Sequence, residues 1–198
     1  MKCVLFALAL VCAAQAIYVP QPMKDMDVRK LAGKWHTMAM ASNDMSLLNS
    51  EEAPMKVFIN KLTATPEGNM EVTLSKWVNH KCVEITILAQ KTQDPAVFMI
   101  DYEGQKITVT VVDTDIIHYM YFCMNIPMPS AKQATVCQYT SRTMDPSEEY
   151  LKKFDKVLEA QPMEIQIYLN LAKADGITKG EEDPLTKATS MDFGRSIM

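Results

Sequence analysis

The sequence predicts an all-β protein with one C-terminal helix: an eight-stranded antiparallel up-and-down β-barrel plus an additional short strand. Three observations carry this. From Trp35 to Thr143 apolar and polar residues alternate in short segments, the pattern of strands with one buried face. Turn signals rich in Gly, Pro, Asn and Asp interrupt the alternation roughly every ten residues, which is the spacing of a meander. One stretch only, Tyr150 to Leu158, changes to helical spacing. About eight strands close a barrel whose interior is just wide enough for one small molecule. The competing architecture, an immunoglobulin-like sandwich, wants a Cys…Trp…Cys frame that this sequence lacks.

Taken in order, the strands begin with Met55, Val57 and Ile59 on one parity and Lys56, Phe58 and Asn60 on the other. Pro66-Glu67-Gly68-Asn69 turns the chain, and Met70, Val72 and Leu74 then alternate with Glu71, Thr73 and Ser75. After a turn at Asn79-His80-Lys81 come Ile85, Ile87 and Ala89, then Phe98 and Ile100. Glu103-Gly104-Gln105-Lys106 is the next turn, Ile107–Val112 the next strand, and Asp113-Thr114-Asp115 its end. Ile116–Met124 and Ala134–Thr143 form the last pair, around Asn125-Ile126-Pro127-Met128-Pro129. Asp145-Pro146-Ser147 offers capping chemistry for a helix, and Glu148 and Glu149 suit its positive end. Tyr150, Leu151, Phe154, Val157 and Leu158 make one apolar stripe, Pro162 stops it, and Met163, Ile165, Ile167 and Leu169 alternate as a further strand.

The chain of 198 residues is sized for one domain. A net charge of −4 gives it no basic face for nucleic acid. Residues 1–16 place Lys2 before an apolar run that ends Ala14-Gln15-Ala16, which reads as a secretory signal peptide cleaved after Ala16. The run is shorter than the ~20 residues that cross a bilayer, and no later stretch is long enough, so no membrane span is expected. The expected organisation is a signal peptide at 1–16, a barrel domain at 17–171 and a loose polar tail at 172–198, in a secreted, extracellular protein. Cys3 and Cys12 leave with the signal, and Cys82, Cys123 and Cys137 remain, giving one disulfide and one free thiol in an oxidising compartment. Cys123 and Cys137 fall on neighbouring strands of one hairpin, and Cys123 has the opposite parity to Phe122, so a bridge there would lie outside the barrel. No Asn-x-Ser/Thr sequon is present.

Gly33-Lys34-Trp35 ahead of the meander, Asp113-Thr114-Asp115 and Arg142 near its end together resemble the lipocalins. Stretches such as Met38-Ala39-Met40-Ala41-Ser42-Asn43-Asp44, Thr65-Pro66-Glu67-Gly68-Asn69 and Phe122-Cys123-Met124 are similar to the β-lactoglobulin and glycodelin branch of that family, over about Ile17 to Leu169. The resemblance implies a calyx closed at one end by Trp35 with Arg142 packed across it, a stack worth ~0.5–2 kcal/mol. It also implies a carrier of a small hydrophobic molecule (a retinoid, a fatty acid or similar), with Met55, Val57, Val72, Leu74, Ile87, Ile100, Phe122 and Met124 lining the calyx. Parity alone is equally compatible with a barrel packed solid. The Cys123–Cys137 bridge matches the branch, whereas the C-terminal cysteine that usually pairs at the position of Cys82 is missing. A homodimer is a further expectation of the resemblance.

Lys76 continues the inward parity toward one strand end, either as an anchor for a ligand head group or as an idle rim lysine. A second mouth lysine of the branch is Ile85 here, which weakens carboxylate capture. The resemblance also implies an acid in the loop over the calyx whose protonation governs opening; Glu103 is the acid available there, either gating from a buried position or sitting in a solvated turn. Cys82 has the opposite parity to Ile85 and Ile87 and is not expected to be a nucleophile. His36, His80 and His118 show no metal-ligand spacing, so no catalytic residue, metal or cofactor is expected. The alternative to a carrier is an extracellular modulatory or nutritive milk protein in which ligand binding is incidental.

Overall fold

The structure, a computed structural model, describes residues 26–128, 133–145, 147–161 and 164–170. The expected signal peptide at 1–16 and tail at 172–198 lie outside the described residues, as do Pro129, Pro146, Pro162 and Met163. Ten strands form one antiparallel sheet in the order β1-β3-β4-β5-β6-β7-β8-β9-β2-β10. β1 (Gly33–Lys34) and β2 (His36–Ser42) are two halves of one strand interrupted at Trp35. β1 pairs with β3 (Phe58–Ala64) and β2 pairs with β9 (Gln133–Ser141), so this strand joins the two ends of the curled sheet. Between them run β4 (Met70–Val78), β5 (Lys81–Lys91), β6 (Val97–Tyr102), β7 (Gln105–Thr114) and β8 (Tyr119–Pro127) in hairpin succession. With β1 and β2 counted as one, the barrel has the eight strands expected, and β10 (Gln166–Asn170) is the additional one, added to the outer edge of β2.

Two turns explain why the hairpins are so tight. Asn79 and His80 have φ of 50° and 57° and join the paired residues Val78 and Lys81. Glu103 and Gly104 have φ of 52° and 78° and join Tyr102 to Gln105. Two successive left-handed residues give a turn whose twist matches the strands, and Asn and Gly adopt that backbone most cheaply. Several strand ends move from their expected places. β8 starts at Tyr119 rather than Ile116, because Ile116 takes a φ of 70° in the turn before it. β9 ends at Ser141, so Arg142 stands one residue beyond the last barrel strand.

The two faces of the sheet bury two separate cores. Inside the barrel, Met55, Ile59, Leu62, Met70, Leu74, Phe98, Ile100, Ile107, Phe122 and Met124 belong to one cluster. Outside, α1 (Glu148–Glu159) lays Leu151, Phe154 and Leu158 over Tyr121, Tyr139, Cys123 and Cys137. Tyr150 and Val157 of the expected stripe are half-buried at its margins. Ser147 occupies the N-cap position without a side-chain capping bond, while Glu148 and Glu149 fill the first turn. Cys123 and Cys137 stand directly opposite one another in the β8–β9 ladder, Cα–Cα 4.0 Å, and are joined by a disulfide on this outer face.

Where β2 meets β3 the ladder gives way to side chains. The Trp35 N–H donates to the Asn60 carbonyl at 3.0 Å, and the Ile59 N–H donates to Thr37 Oγ1 at 2.8 Å. Thr37 Oγ1 donates to Gln138 Oε1 at 3.2 Å, and Gln138 Nε2 donates to the Val57 carbonyl at 3.1 Å. Gln138 is fully buried, and these bonds satisfy an amide that would otherwise be costly inside a barrel.

Candidate functional site

One end of the barrel is sealed. Trp35 is fully buried, and its Nε1 donates to the Leu31 carbonyl at 2.8 Å. The Arg142 guanidinium lies 3.8 Å from the centroid of the Trp35 ring. It also donates to four carbonyls from two segments: Ala32 (3.0 Å), Lys34, Lys30 and Ile116 (3.1 Å each). Gly33 sits at φ +120°, and a Cβ there would stand 2.8 Å from Arg142 Nη1. The glycine of the Gly-x-Trp motif is therefore needed because the arginine occupies the space its side chain would take.

Above this seal lies an apolar cavity of about 80 Å³. Met55, Val57, Val72, Leu74, Ile87, Ile100, Phe122 and Met124, the residues expected to line a calyx, all line it. None of the side chains around it is charged. Four thioethers, Met55, Met70, Met120 and Met124, contribute to the wall, and such side chains repack at low cost.

Other lining residues were legible but not singled out from the sequence. Met70, Ala89, Phe98, Val109, Val111 and Met120 share parity with their expected neighbours. Ile59 and Leu62 both reach the wall because the register shifts between Ile59 and Lys61, a bulge that simple alternation does not show. Leu31 comes from a 3-10 turn ahead of the barrel (Val28–Leu31), and Tyr102 from the rim.

At the open end the polar groups are already engaged. Lys76 is not part of the cavity wall; its Nζ donates to the Tyr102 hydroxyl at 2.7 Å and pairs with Glu103. The Lys76 side chain is 11% exposed and that of Glu103 56%. Burial alone would push the Lys76 ammonium down, but the bonds to Glu103 and Tyr102 outweigh it and its pKa stands above the usual lysine value. Burial raises the pKa of the Tyr102 phenol. Glu103 is thus neither buried beneath a lid nor merely solvated: it is a half-exposed turn residue in an ion pair.

The ladder between β5 and β6 runs over only three pairs, Ala89–Lys91 with Phe98–Ile100. Lys76 therefore links β4 to the β6–β7 turn where backbone bonds do not. A second link ties the segment between β2 and β3 to the β4–β5 turn, where the His80 N–H donates to Glu52 at 2.6 Å. Cys82 is exposed, opposite Trp77 on β4, and lies away from the cavity. Among the described residues no group of His, Cys, Asp and Glu could hold a metal ion, and no helix is long and apolar enough to cross a membrane.

Residues 32–175 match the model of the lipocalin / cytosolic fatty-acid binding protein family. The chain is a lipocalin. This lipocalin is 48% identical to β-lactoglobulin-2 of the horse, Equus caballus, over 169 residues, covering 84% of this chain and 93% of the relative. It is also 48% identical to β-lactoglobulin-2 of the cat, Felis catus, over 78% of this chain and 94% of that one. Among solved structures it resembles the possum milk whey lipocalin trichosurin with bound 4-ethylphenol, with a TM-score of 0.63 and 26% identity over 73% of this chain and 98% of the other. Proteins of this family bind small hydrophobic molecules, and this lipocalin resembles β-lactoglobulin.

Proposed function

We propose that this lipocalin is a secreted carrier that holds one small hydrophobic molecule non-covalently in the barrel, with no chemistry performed on it. The observation that carries the reading is the uncharged, apolar cavity lined largely by inward-facing residues of β3 to β8. Burying ligand surface there supplies the affinity, since apolar area removed from water is the main favourable contribution in such sites. At about 80 Å³ the cavity is smaller than the roughly 300–1,000 Å³ of most ligand pockets. A compact molecule such as the 4-ethylphenol held by trichosurin suits it, and a retinoid or fatty acid requires the methionines to move aside. Similarity to the β-lactoglobulins supports the extracellular setting.

The small cavity also favours one rival: a nutritive milk protein with a filled barrel and incidental binding. Fluorescence titration of delipidated protein with 4-ethylphenol, retinol and palmitate separates the two. The carrier reading expects saturable one-to-one binding of at least one of these. It also expects that binding to be lost in Ile87→Arg, which places a charge on the half-buried wall, while the circular dichroism of the variant stays that of the parent. Folded protein that binds none of the three moves the nutritive role ahead.

A further inference from the structure

We infer that the mouth of the cavity selects ligands with an uncharged, hydrogen-bond-donating head group and rejects carboxylates, because Glu103 neutralises Lys76. This rests on the carrier reading above and names the ligand class of the same site. A lysine at the rim of an apolar pocket would ordinarily attract an anionic head group, the charge-assisted bond being about twice as strong as a neutral one. Here two of the ammonium's three N–H donors are engaged and its charge is balanced by a carboxylate. The ammonium donates to Tyr102 on the cavity wall and pairs with the carboxylate of Glu103. The lysine is the buried partner and the glutamate the exposed one, so the solvent-facing side of the pair carries the carboxylate.

An entering carboxylate meets two penalties. It stands against Glu103, a like charge at short range in a half-buried setting where screening by water is incomplete. Its approach to Lys76 gains little, because the Glu103 carboxylate already cancels the charge of the ammonium. Moreover, a carboxylate only accepts hydrogen bonds, so it finds no partner in the Glu103 carboxylate, which also only accepts. An alcohol or phenol donates a hydrogen bond to that carboxylate and brings no charge. The cavity wall has no charged side chain to offset this. Glu103 is held in place by the backbone: it occupies the first position of a two-residue turn with φ of 52°, between the paired residues Tyr102 and Gln105.

The test uses two probes with the same hydrocarbon chain, 1-decanol and decanoate, titrated calorimetrically into delipidated protein at pH 7.5 and low ionic strength. The parent is expected to bind the alcohol about tenfold more tightly than the acid, a difference of about 1.4 kcal/mol. Glu103→Gln frees the ammonium and is expected to tighten decanoate about tenfold while leaving decanol within twofold. Adding Lys76→Met to that variant is expected to abolish the gain. Glu103 is half-exposed in a turn, so its amide variant keeps the fold, and a thermal melt checks this. Decanoate binding the parent as tightly as decanol, or an unchanged decanoate affinity in Glu103→Gln, overturns the selectivity and leaves the carrier reading intact. Failure of both probes to bind the folded parent overturns the selectivity, and the carrier reading falls as well only if 4-ethylphenol, retinol and palmitate also fail to bind.

Discussion

Gly33 shows how one missing side chain organises an end of the barrel. The space a Cβ would fill holds Arg142 Nη1, and the same guanidinium stacks on Trp35 and ties the 3-10 turn, β1 and the β7–β8 turn together. Gly33→Ala combines a φ of +120° with a 2.8 Å approach. It is expected to lower stability by about 2 kcal/mol, read from the midpoint of urea unfolding. An alanine variant as stable as the parent would mean that the arginine moves aside freely and that the seal is not rigid. The Gly-x-Trp pattern and Arg142 were readable in the chain, but the reason the first residue must be glycine was not. That reason is a contact between residues more than a hundred positions apart.

At the scale of an element, the turn from β7 to β8 is held by one carboxylate. Asp115 Oδ1 accepts from the backbone N–H of Ile117 (3.2 Å), His118 (2.7 Å) and Tyr119 (3.0 Å), and Oδ2 meets His118 Nδ1 at 2.7 Å. Partial burial would raise its pKa, but the N–H donors of His118 and Tyr119 outweigh that and hold it below the ordinary 3.8. A carboxyl depressed in the folded state stabilises it above the unfolded pKa, and that contribution disappears as pH falls through the folded value. Asp115→Asn is therefore expected to be about 1 kcal/mol less stable than the parent at pH 5, with the gap closing toward pH 3. A gap that does not narrow at all as pH falls below 3.8 would assign the effect to shape rather than to charge. Asp113-Thr114-Asp115 was visible as a strand end. Its three-donor cradle depends on the left-handed Ile116, which alternation had placed inside the following strand.

For the whole molecule, the Cys123–Cys137 disulfide acts chiefly on the unfolded chain. The bridge spans a separation of 14 residues, and a closed loop of that size stabilises by about 3 kcal/mol through lost unfolded-state entropy. The double variant Cys123→Ala, Cys137→Ala is expected to unfold at correspondingly lower urea concentration, with its melting insensitive to reductant while that of the parent falls. Equal stability of parent and variant would show that the outer core under α1 suffices on its own. That core and the barrel interior lie on opposite faces of one sheet, so the bridge does not intrude on the cavity.

What the sequence by itself determined is whatever depends on alternation and on local turn chemistry. Seven of the barrel strands and the added one, the helix with its buried Leu151, Phe154 and Leu158, the hairpin that brings Cys123 opposite Cys137, and the inward parity from Met55 to Met124 follow from period two, period 3.6 and turn residues. By contrast, β2 is buried along nearly its whole length and carries no such alternation. Tertiary structure decided the rest, because each remaining feature is a meeting of distant segments. The bulge in β3 adds Leu62 to the wall. The Thr37–Gln138–Val57 bonds close the seam between β2 and β3. The approach of β4 to the β6–β7 turn sets Lys76 against Glu103. Parity places Lys76 on the inner face, but whether its charge stands free or is cancelled depends on which carboxylate the closed barrel carries to within reach of it.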